Sequence, residues 1–314
     1  MILREKTTGS LDGRVAIVTG AGRGLGRAHA LMLAEQGAAV VVNDPGVAGD
    51  GEGSDVAPAR QVVAEIEKNG GRAVANLDSC ANWQAAGDPI AQAVDSFGHL
   101  DILVNNAGIL RDRMSFNMTE SDWDAVMEVH LKGHFAPSRF AAAYWRQRSK
   151  SSAGSVYGRI INTSSESGYI GLAGQVNYAT AKAGIVGMTL AMARELERIG
   201  VTVNAIAPRA RTRMTTSSFS GYPQPVEGQF DPRAPENISP VVAWLAGPAA
   251  GHISGKVFVC YGGEVELESP IESEVHLSAG DRRWTVPELA ERSPEFFAHG
   301  RPPGVTPLPA GIGG

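Results

Sequence analysis

The chain has 314 residues, of which 43% are hydrophobic and 19% are charged, and its formal net charge is −5. This composition is typical of a globular protein with a sizeable core, and the negative charge gives no electrostatic reason to expect nucleic acid or an anionic membrane as a partner. The sequence has no run of about 18 apolar residues that would span a membrane and no apolar signal core, so we expect a cytoplasmic protein.

A glycine-rich turn follows the first predicted strand. That strand leads into TGAGRGLG at residues 19–26, and a helix is predicted to begin near Leu25. Gly20 permits a tight turn, Gly24 lets the backbone approach a pyrophosphate, and Gly26 lets the helix pack closely on the sheet. The helix also presents its positive end to phosphate. A strand, a glycine turn and a helix in this order predict a dinucleotide site.

The second predicted strand, AAVVVND, ends at Asp44. A carboxylate at this position would bind the adenosine ribose hydroxyls and repel a 2′-phosphate, which favours NAD over NADP. Arg23 is a contrary signal, because a guanidinium in the glycine loop can pair with a 2′-phosphate; the alternative for Arg23 is a solvated loop arginine. Asp44 is nearer the ribose by position, so we predict NAD and keep NADP as the alternative.

Two further strands end in candidate cofactor contacts. RAVANLD ends at Asp78, which with Ser79 is a candidate for the adenine side; for Asp78, a cap on the next helix is the alternative. DILVNNAG ends in Asn106, Ala107 and Gly108, where small residues and an amide suit either a dinucleotide or the neighbouring backbone. We expect a structural role for at least one of the asparagines.

A helix is predicted from about Glu120 to Arg148. It carries His130 and His134 four residues apart, which is also metal-ligand spacing. Because no third ligand stands in register, we predict no metal site.

Three residue types that can act together on an alcohol follow next. RIINTSS predicts a strand that ends at Ser165, and Tyr178 and Lys182 lie one turn apart on a predicted helix. A free tyrosine has a pKa of about 10, so lowering it to about 7 requires roughly 4 kcal/mol of phenolate stabilisation. The hypothesis is that Lys182 and an oxidised nicotinamide supply this, while Ser165 holds the substrate oxygen and Tyr178 transfers its proton.

Residues 209–238 are polar and rich in Gly, Pro and Ser, which predicts a long substrate loop or lid. Arg209, Arg211 and Arg213 stand at its start. They could contact an anionic substrate tail, but we favour ordinary ion pairs.

The alternation of strands and helices predicts one doubly wound α/β domain over residues 1–263, with a parallel sheet and the site at the strand C-termini. Residues 264–314 form a C-terminal extension, expected to contain an extended or hairpin segment and a short helix. We expect this extension to pack at a subunit interface, with disorder beyond Gly300 as the alternative.

The combination of TGAGRGLG, NNAG and the Ser165, Tyr178 and Lys182 set resembles the short-chain dehydrogenase/reductase family over residues 10–263. The resemblance implies a single Rossmann-type domain with a seven-stranded parallel sheet and helices on both faces, a nicotinamide cofactor, and a homodimer or homotetramer. It also implies that Tyr178 and Lys182 bind the cofactor, and that Thr212, after Pro208, contacts the carboxamide.

The chain departs from this family at two places. After Pro208 the family often has P-G-x-x-x-T, whereas here Arg209 follows and Thr212 comes one position early. Most members also supply an asparagine to a proton-relay water in an N-x-x-G context, where this chain has His130 before Leu-Lys-Gly. Either His130 takes over that role or the relay is built differently.

A narrower resemblance rests on VVNDPG, AVANLDS, NNAGILRDRMSF, VHLKGHF and the RMT that follows the sixth strand. These segments are similar to the (3R)-hydroxyacyl-CoA dehydrogenase unit of peroxisomal multifunctional enzymes type 2. The resemblance implies NAD-linked oxidation of a 3-hydroxyacyl-CoA in fatty-acid or steroid side-chain β-oxidation. The alternatives are an NADPH-dependent 3-oxoacyl carrier-protein reductase, a hydroxysteroid dehydrogenase acting on a free steroid, and a catalytically silent binding protein.

Overall fold

The computed structural model describes residues 9–47, 53, 55–152, 154–212, 225–226, 228–269 and 273–298. By its contacts the chain divides after Glu268 into two units. The larger unit contains the whole sheet and every candidate site residue.

The described residues of the larger unit form one eight-stranded sheet in the order β3-β2-β1-β4-β5-β6-β7-β8. The strands are β1 (Val15–Thr19), β2 (Ala39–Asn43), β3 (Arg72–Asn76), β4 (Ile102–Asn105), β5 (Gly158–Thr163), β6 (Val201–Pro208), β7 (Val257–Tyr261) and β8 (Glu264–Leu267). The first seven strands are parallel to their neighbours, which confirms the doubly wound sheet.

The eighth strand was not expected as part of the sheet. β8 pairs antiparallel with β7, with Tyr261 opposite Glu264. The turn between them contains Gly262, whose φ of +51° is a backbone conformation that glycine adopts without strain. The sheet therefore extends beyond residue 263, where the sequence suggested that the domain ends.

Helices cover both faces of the sheet. They are α1 (Gly24–Glu35), α2 (Ala57–Lys68), α3 (Asp88–Phe97), α4 (Glu120–Val126), α5 (Gly133–Ser152), α6 (Ser167–Ile170), α7 (Val176–Leu196) and α8 (Ser239–Ala246). Successive residues of a strand point to opposite faces, so Ala16 and Val18 join the core under α1, α2 and α8, whereas Val15 and Ile17 join the core under α3, α5 and α7. Strands buried on both faces explain the apolar runs in the sequence.

The helix predicted between Glu120 and Arg148 is interrupted. α4 begins with a capping box in which Thr119 and Asp122 satisfy each other's backbone N–H groups. A π-helical segment, Met127–Lys132, then separates α4 from α5 and contains the buried His130. Such segments are frequent at functional sites, and hydrophobic periodicity does not reveal them.

The smaller unit contains α9 (Val286–Arg292), which Thr285 and Glu288 cap, followed by a short 3₁₀ helix at Ser293–Phe297. Residues 299–314, which include the end expected to be disordered, lie outside the described residues. Among the helices that the structure describes, none is long and apolar enough to cross a bilayer.

Candidate active site

The glycine loop lies between the C-terminal ends of β1 and β4 and admits no side chain at two of its positions. Gly20 has φ +62°, and a Cβ on it would lie 2.8 Å from the Cα atom of Ala107. A Cβ on Gly26 would lie 2.1 Å from the carbonyl oxygen of Gly20. This is the compact turn that a dinucleotide pyrophosphate requires, so the residues present fit such a cofactor.

Both asparagines of the NNAG sequence support the backbone. Asn106 donates from Nδ2 to the carbonyl oxygens of Thr19 (3.0 Å) and Gly20 (3.2 Å), so it holds the glycine loop. Asn105 donates to Ser138 Oγ (2.8 Å) and Asn162 Oδ1 (2.9 Å). The expected structural role is confirmed for both, while a direct cofactor contact from Asn106, Ala107 or Gly108 stays a prediction.

Asp44 lies at the glycine loop. Its Oδ2 accepts from the backbone N–H of Gly22 and its Oδ1 from that of Gly46, each at 2.7 Å. The carboxylate is therefore fixed where the sequence predicted the ribose. Arg23 forms an exposed ion pair with Asp55 at 2.9 Å, so its guanidinium already has a carboxylate partner.

Asp78 is tied to its own strand. Its Oδ2 accepts from Asn76 Nδ2 at 2.9 Å, and neighbouring Ser79 is exposed. The alternative that Asp78 caps the next helix is wrong, because Asn82 Oδ1 accepts from the backbone N–H groups of Gln84 and Ala85. Contacts of Asp78 and Ser79 with adenine stay predictions.

The three predicted catalytic residues meet at the end of β5. The Tyr178 hydroxyl lies close enough to the Ser165 side chain for the serine to lower the pKa of the phenol. Lys182 Nζ donates to the carbonyl oxygen of Thr163 at 2.6 Å and lies 5.4 Å from the centre of the Tyr178 ring. A Cβ on Gly168 would lie 2.7 Å from the backbone nitrogen of Ala183, so α6 lies directly against α7.

Burial, rather than Lys182, dominates the ionisation of the tyrosine. The phenol group is enclosed although the residue as a whole is only partly buried, and burial raises the pKa of Tyr178 to about 12 against the opposing effect of the Ser165 side chain. Burial also lowers the pKa of Lys182 to about 7. In the protein alone desolvation disfavours both charges, so the lowering of the tyrosine pKa by Lys182 together with a bound nicotinamide stays a prediction.

His130 lies beside the tyrosine. Its ring meets the Tyr178 ring edge-on with 5.2 Å between the centres, and its Nε2 is 2.7 Å from the carbonyl oxygen of Ile109. Burial, with a contribution from the Lys182 charge, lowers the pKa of His130 to about 3, so the ring is neutral. A Cβ on Gly108 would lie 2.5 Å from His130 Cε1, which explains the small residue there.

His134 is fully buried, and the pKa of its imidazole is well below the ordinary value for the same reason. In the part of the chain that the structure describes, no three His, Cys, Asp or Glu residues form a group that could hold a metal ion.

Two of the three arginines at the start of the predicted substrate loop form ion pairs, which is the alternative that the sequence analysis favoured. Arg209 Nη2 donates to Glu166 Oε1 at 2.6 Å, and Arg211 Nη1 donates to Asp231 Oδ2 at 2.7 Å. Arg213, with the rest of residues 213–224, lies outside the described residues.

The residues that follow β6 lie beside the glycine loop. Pro208, the last residue of β6, pairs with Cys260 of β7. A Cβ on Gly24 would lie 3.7 Å from Thr212 Cγ2, which brings Thr212 beside the glycine loop despite its early position in the motif. Leu25 packs at the start of α1.

Several supporting contacts were missed in the sequence. Gln175 Nε2 donates to Asp112 Oδ2 at 2.9 Å, and Asn177 Nδ2 donates to the carbonyl oxygens of Arg111 and Asp122. They attach the loop after β4 to the beginning of α7. The pairs are 55 to 66 residues apart in sequence, and no local pattern signals them.

The family model for short chain dehydrogenases matches residues 14–222. The chain belongs to this family. As a short chain dehydrogenase it is an oxidoreductase that interconverts an alcohol and a ketone, and it binds a nicotinamide cofactor of the NAD(P) type.

Three similar proteins cover most of this dehydrogenase. Hydroxyacyl-CoA dehydrogenase ChsB1 of Mycobacterium tuberculosis is 49% identical over 301 residues, which cover 96% of this chain and 93% of that protein. Peroxisomal multifunctional enzyme type 2 of Mus musculus is 45% identical over 74% of this chain but 30% of its own length. The crystal structure of a short chain dehydrogenase from Mycobacterium avium has a TM-score of 0.82 and 48% identity, and the match covers 96% of this chain and 98% of that one.

Proposed function

We propose that this dehydrogenase oxidises a (3R)-3-hydroxyacyl-CoA to the 3-oxoacyl-CoA with NAD, in the β-oxidation of fatty acids or steroid side chains. The observation that carries the chemistry is that Ser165, Tyr178 and Lys182 come together at the end of β5, with Lys182 Nζ 5.4 Å from the centre of the Tyr178 ring. The acyl-CoA substrate is supported by the 49% identity to a protein named hydroxyacyl-CoA dehydrogenase over nearly the whole chain.

In this proposal Tyr178 removes the proton of the C3 hydroxyl and Ser165 holds the same oxygen by a hydrogen bond. Bound NAD supplies the hydride acceptor and a positive charge that favours the phenolate. Lys182, held by the carbonyl oxygen of Thr163, binds the ribose and keeps an ammonium near the phenol. His130 packs against the Tyr178 ring as a neutral group and limits the positions that the ring can take.

The preference for NAD rests on Asp44. Its carboxylate is fixed at the glycine loop by two backbone N–H groups, where it would repel a 2′-phosphate. Arg23 is paired with Asp55, which weakens the case for NADP.

A homodimer or homotetramer is the proposed assembly, and a cytoplasmic location is proposed on the sequence alone. An apolar groove between the π-helical segment, α5 and α7 supports self-association; its apolar lining consists of Met127, Leu131, Phe135 and Met188. Exposed apolar surface of this kind often marks a protein interface. Light scattering should show a dimer or tetramer that Phe135→Glu converts to a smaller species, and a monomeric unaltered protein would refute the assembly.

Initial rates with (3R)- and (3S)-3-hydroxyacyl-CoA, each with NAD and with NADP, test the function. We expect rapid turnover of the 3R thioester with NAD but not with NADP. The rival is a reductase like the 3-oxoacyl-[acyl-carrier-protein] reductase of Synechocystis, which is 41% identical over 82% of this chain. Reduction of a 3-oxoacyl carrier protein by NADPH, without thioester oxidation by NAD, would establish that rival, and turnover of free hydroxysteroids alone would establish the third alternative.

A further inference from the structure

We infer that the ion pair between Glu166 and Arg209 positions Ser165, so that both residues set the rate of the reaction without touching the substrate. The inference rests on the proposed catalytic role of Ser165. Glu166 follows Ser165 directly, and Arg209 stands at one of the two places where the chain departs from its family's sequence pattern.

The turn that carries Ser165 is attached on both sides by neutral hydrogen bonds. Ser164 donates from its backbone N–H to the carbonyl oxygen of Ile206 at 2.7 Å and from Oγ to the carbonyl oxygen of Lys182 at 3.0 Å. Ser167 Oγ donates to Gln175 Oε1 at 3.0 Å. Ser165 itself makes contacts only within the turn: its Oγ accepts from the backbone N–H of Ser167 at 3.2 Å, and its carbonyl oxygen accepts from Gly168 at 3.0 Å. A charged contact at Glu166, the residue next to Ser165, is therefore placed to refine the position of the serine.

The Glu166 carboxylate supplies an attachment to the rest of the sheet. Arg209 donates from Nε to Oε2 and from Nη2 to Oε1, a bidentate pair with both oxygens engaged. The side chains are 12% and 20% exposed, so water weakens the pair less than it would a surface pair. Two parallel hydrogen bonds define direction as well as distance, because the guanidinium is planar.

Arg209 is itself fixed at the edge of the sheet. Its backbone N–H donates to the carbonyl oxygen of Cys260 at 2.9 Å, and its guanidinium lies 4.3 Å from the centre of the Tyr261 ring. Glu266, on β8, accepts from the Tyr261 hydroxyl at 2.7 Å and lies 3.8 Å from Arg209 Nη2. The antiparallel strand thus completes the surroundings of the arginine.

A second contact joins the same two parts of the molecule. Burial and the nearby carboxylate of Glu268 raise the pKa of Tyr169, so the Tyr169 side chain, in α6, lies close to the residue that follows β8. The turn of Ser165 is therefore held on both sides, by Arg209 at its beginning and by the end of the β8 segment at its helix. β8, which was not predicted as part of the sheet, therefore helps to position a catalytic residue.

The chain offers a matched control for this test. Arg27 Nη2 donates to both carboxylate oxygens of Glu65, at 2.9 and 2.7 Å, and this pair joins α1 to α2. Glu65→Gln makes the same substitution as Glu166→Gln but lies on α2, which carries no candidate site residue.

The experiment measures kcat and KM with the 3R thioester and NAD, together with the dissociation constant of NAD, for Glu166→Gln, Arg209→Gln and Glu65→Gln. Each is made in the unaltered protein and in Ser165→Ala. We expect Glu166→Gln and Arg209→Gln to lower kcat about tenfold, as a small misplacement of a catalytic group does, with NAD affinity unchanged. In Ser165→Ala the same changes should alter kcat by less than about twofold, because the group they position is gone.

Glu65→Gln should leave kcat within about twofold in both backgrounds. An equal loss for Glu166→Gln in both backgrounds, or no loss in the unaltered protein, would overturn the inference. Full activity of Ser165→Ala would instead refute the proposed role of the serine. Crystal structures give a readout that needs no turnover: Glu166→Gln should move Ser165 Oγ away from the Tyr178 hydroxyl, and an unmoved serine would also overturn the inference.

Discussion

The cofactor side and the substrate side of the site are held by different kinds of contact. On the cofactor side, backbone atoms approach one another where no side chain fits, as at Gly20 and Gly26. On the substrate side, charged and amide side chains join distant segments, as Arg209 does with Glu166 and Gln175 with Asp112.

This contrast separates binding from turnover. Changes on the cofactor side should act on NAD affinity, and changes on the substrate side should act on kcat while sparing NAD affinity. A variant on one side that changed the property assigned to the other side would contradict this separation.

The largest effect is expected on the substrate side. Tyr178→Phe removes the hydroxyl that transfers the proton, so kcat should fall by about a thousandfold or more. NAD affinity, measured by fluorescence titration, should stay within about twofold because the ring and its contact with His130 remain. Survival of half the activity would show that another group transfers the proton.

A smaller effect, of the opposite kind, is expected from Gly20→Ala. The added Cβ would meet Ala107 at 2.8 Å and strain a residue with positive φ, which costs about 1–3 kcal/mol. NAD affinity should fall about tenfold or more, while the rate at saturating NAD changes less. Gly70→Ala is the control, because Gly70 also has positive φ but has no atom within 4 Å of its would-be Cβ. Equal affinities in the two variants would mean that the close approach does not matter.

The smallest effect concerns stability and pH at Lys182. Burial lowers the pKa of Lys182 to about 7 from 10.5, so the unfolded chain binds more protons between these pH values and the free energy of unfolding rises with pH across that window. Lys182→Met lacks this slope. Its Tm relative to the unaltered protein should therefore be several degrees higher at pH 6.5 than at pH 9.5.

Loss of the Thr163 hydrogen bond should lower the Tm of Lys182→Met equally at both pH values, so only the difference between them is informative. Lys150→Met, which removes an exposed lysine, should show no such difference. If the Tm of Lys182→Met and the Tm of the unaltered protein changed equally with pH, Lys182 would not be a buried ammonium group that titrates in this window.

The sequence predicted the glycine turn and the carboxylate beside it because their signals are local. Three glycines after an apolar strand, and a carboxylate after the next strand, are read from short segments, as are the spacings from Ser165 to Tyr178 and Lys182. The alternation of apolar runs and helices likewise predicted the parallel sheet.

The missed features depend on contacts between distant segments. Glu166 and Arg209 are 43 residues apart, and nothing near either residue indicates the pair. The burial that raises the pKa of Tyr178 in the protein alone could not be predicted, because burial of the phenol is a property of the folded protein. β8 was missed as a sheet strand because four residues give too short a pattern to separate it from a loop.

The π-helical segment at Met127–Lys132 sets the rotational phase of the helix that follows. A π turn accommodates one more residue than an α turn, and one residue corresponds to about 100° of rotation. The buried stripe of α5, which includes His134, Ser138 and Trp145, faces the sheet only with that extra residue present. Deleting one residue before Gly133 would rotate α5. Trp145 Nε1 could then no longer donate to the carbonyl oxygen of Leu100. The length of this segment is thus constrained independently of its composition.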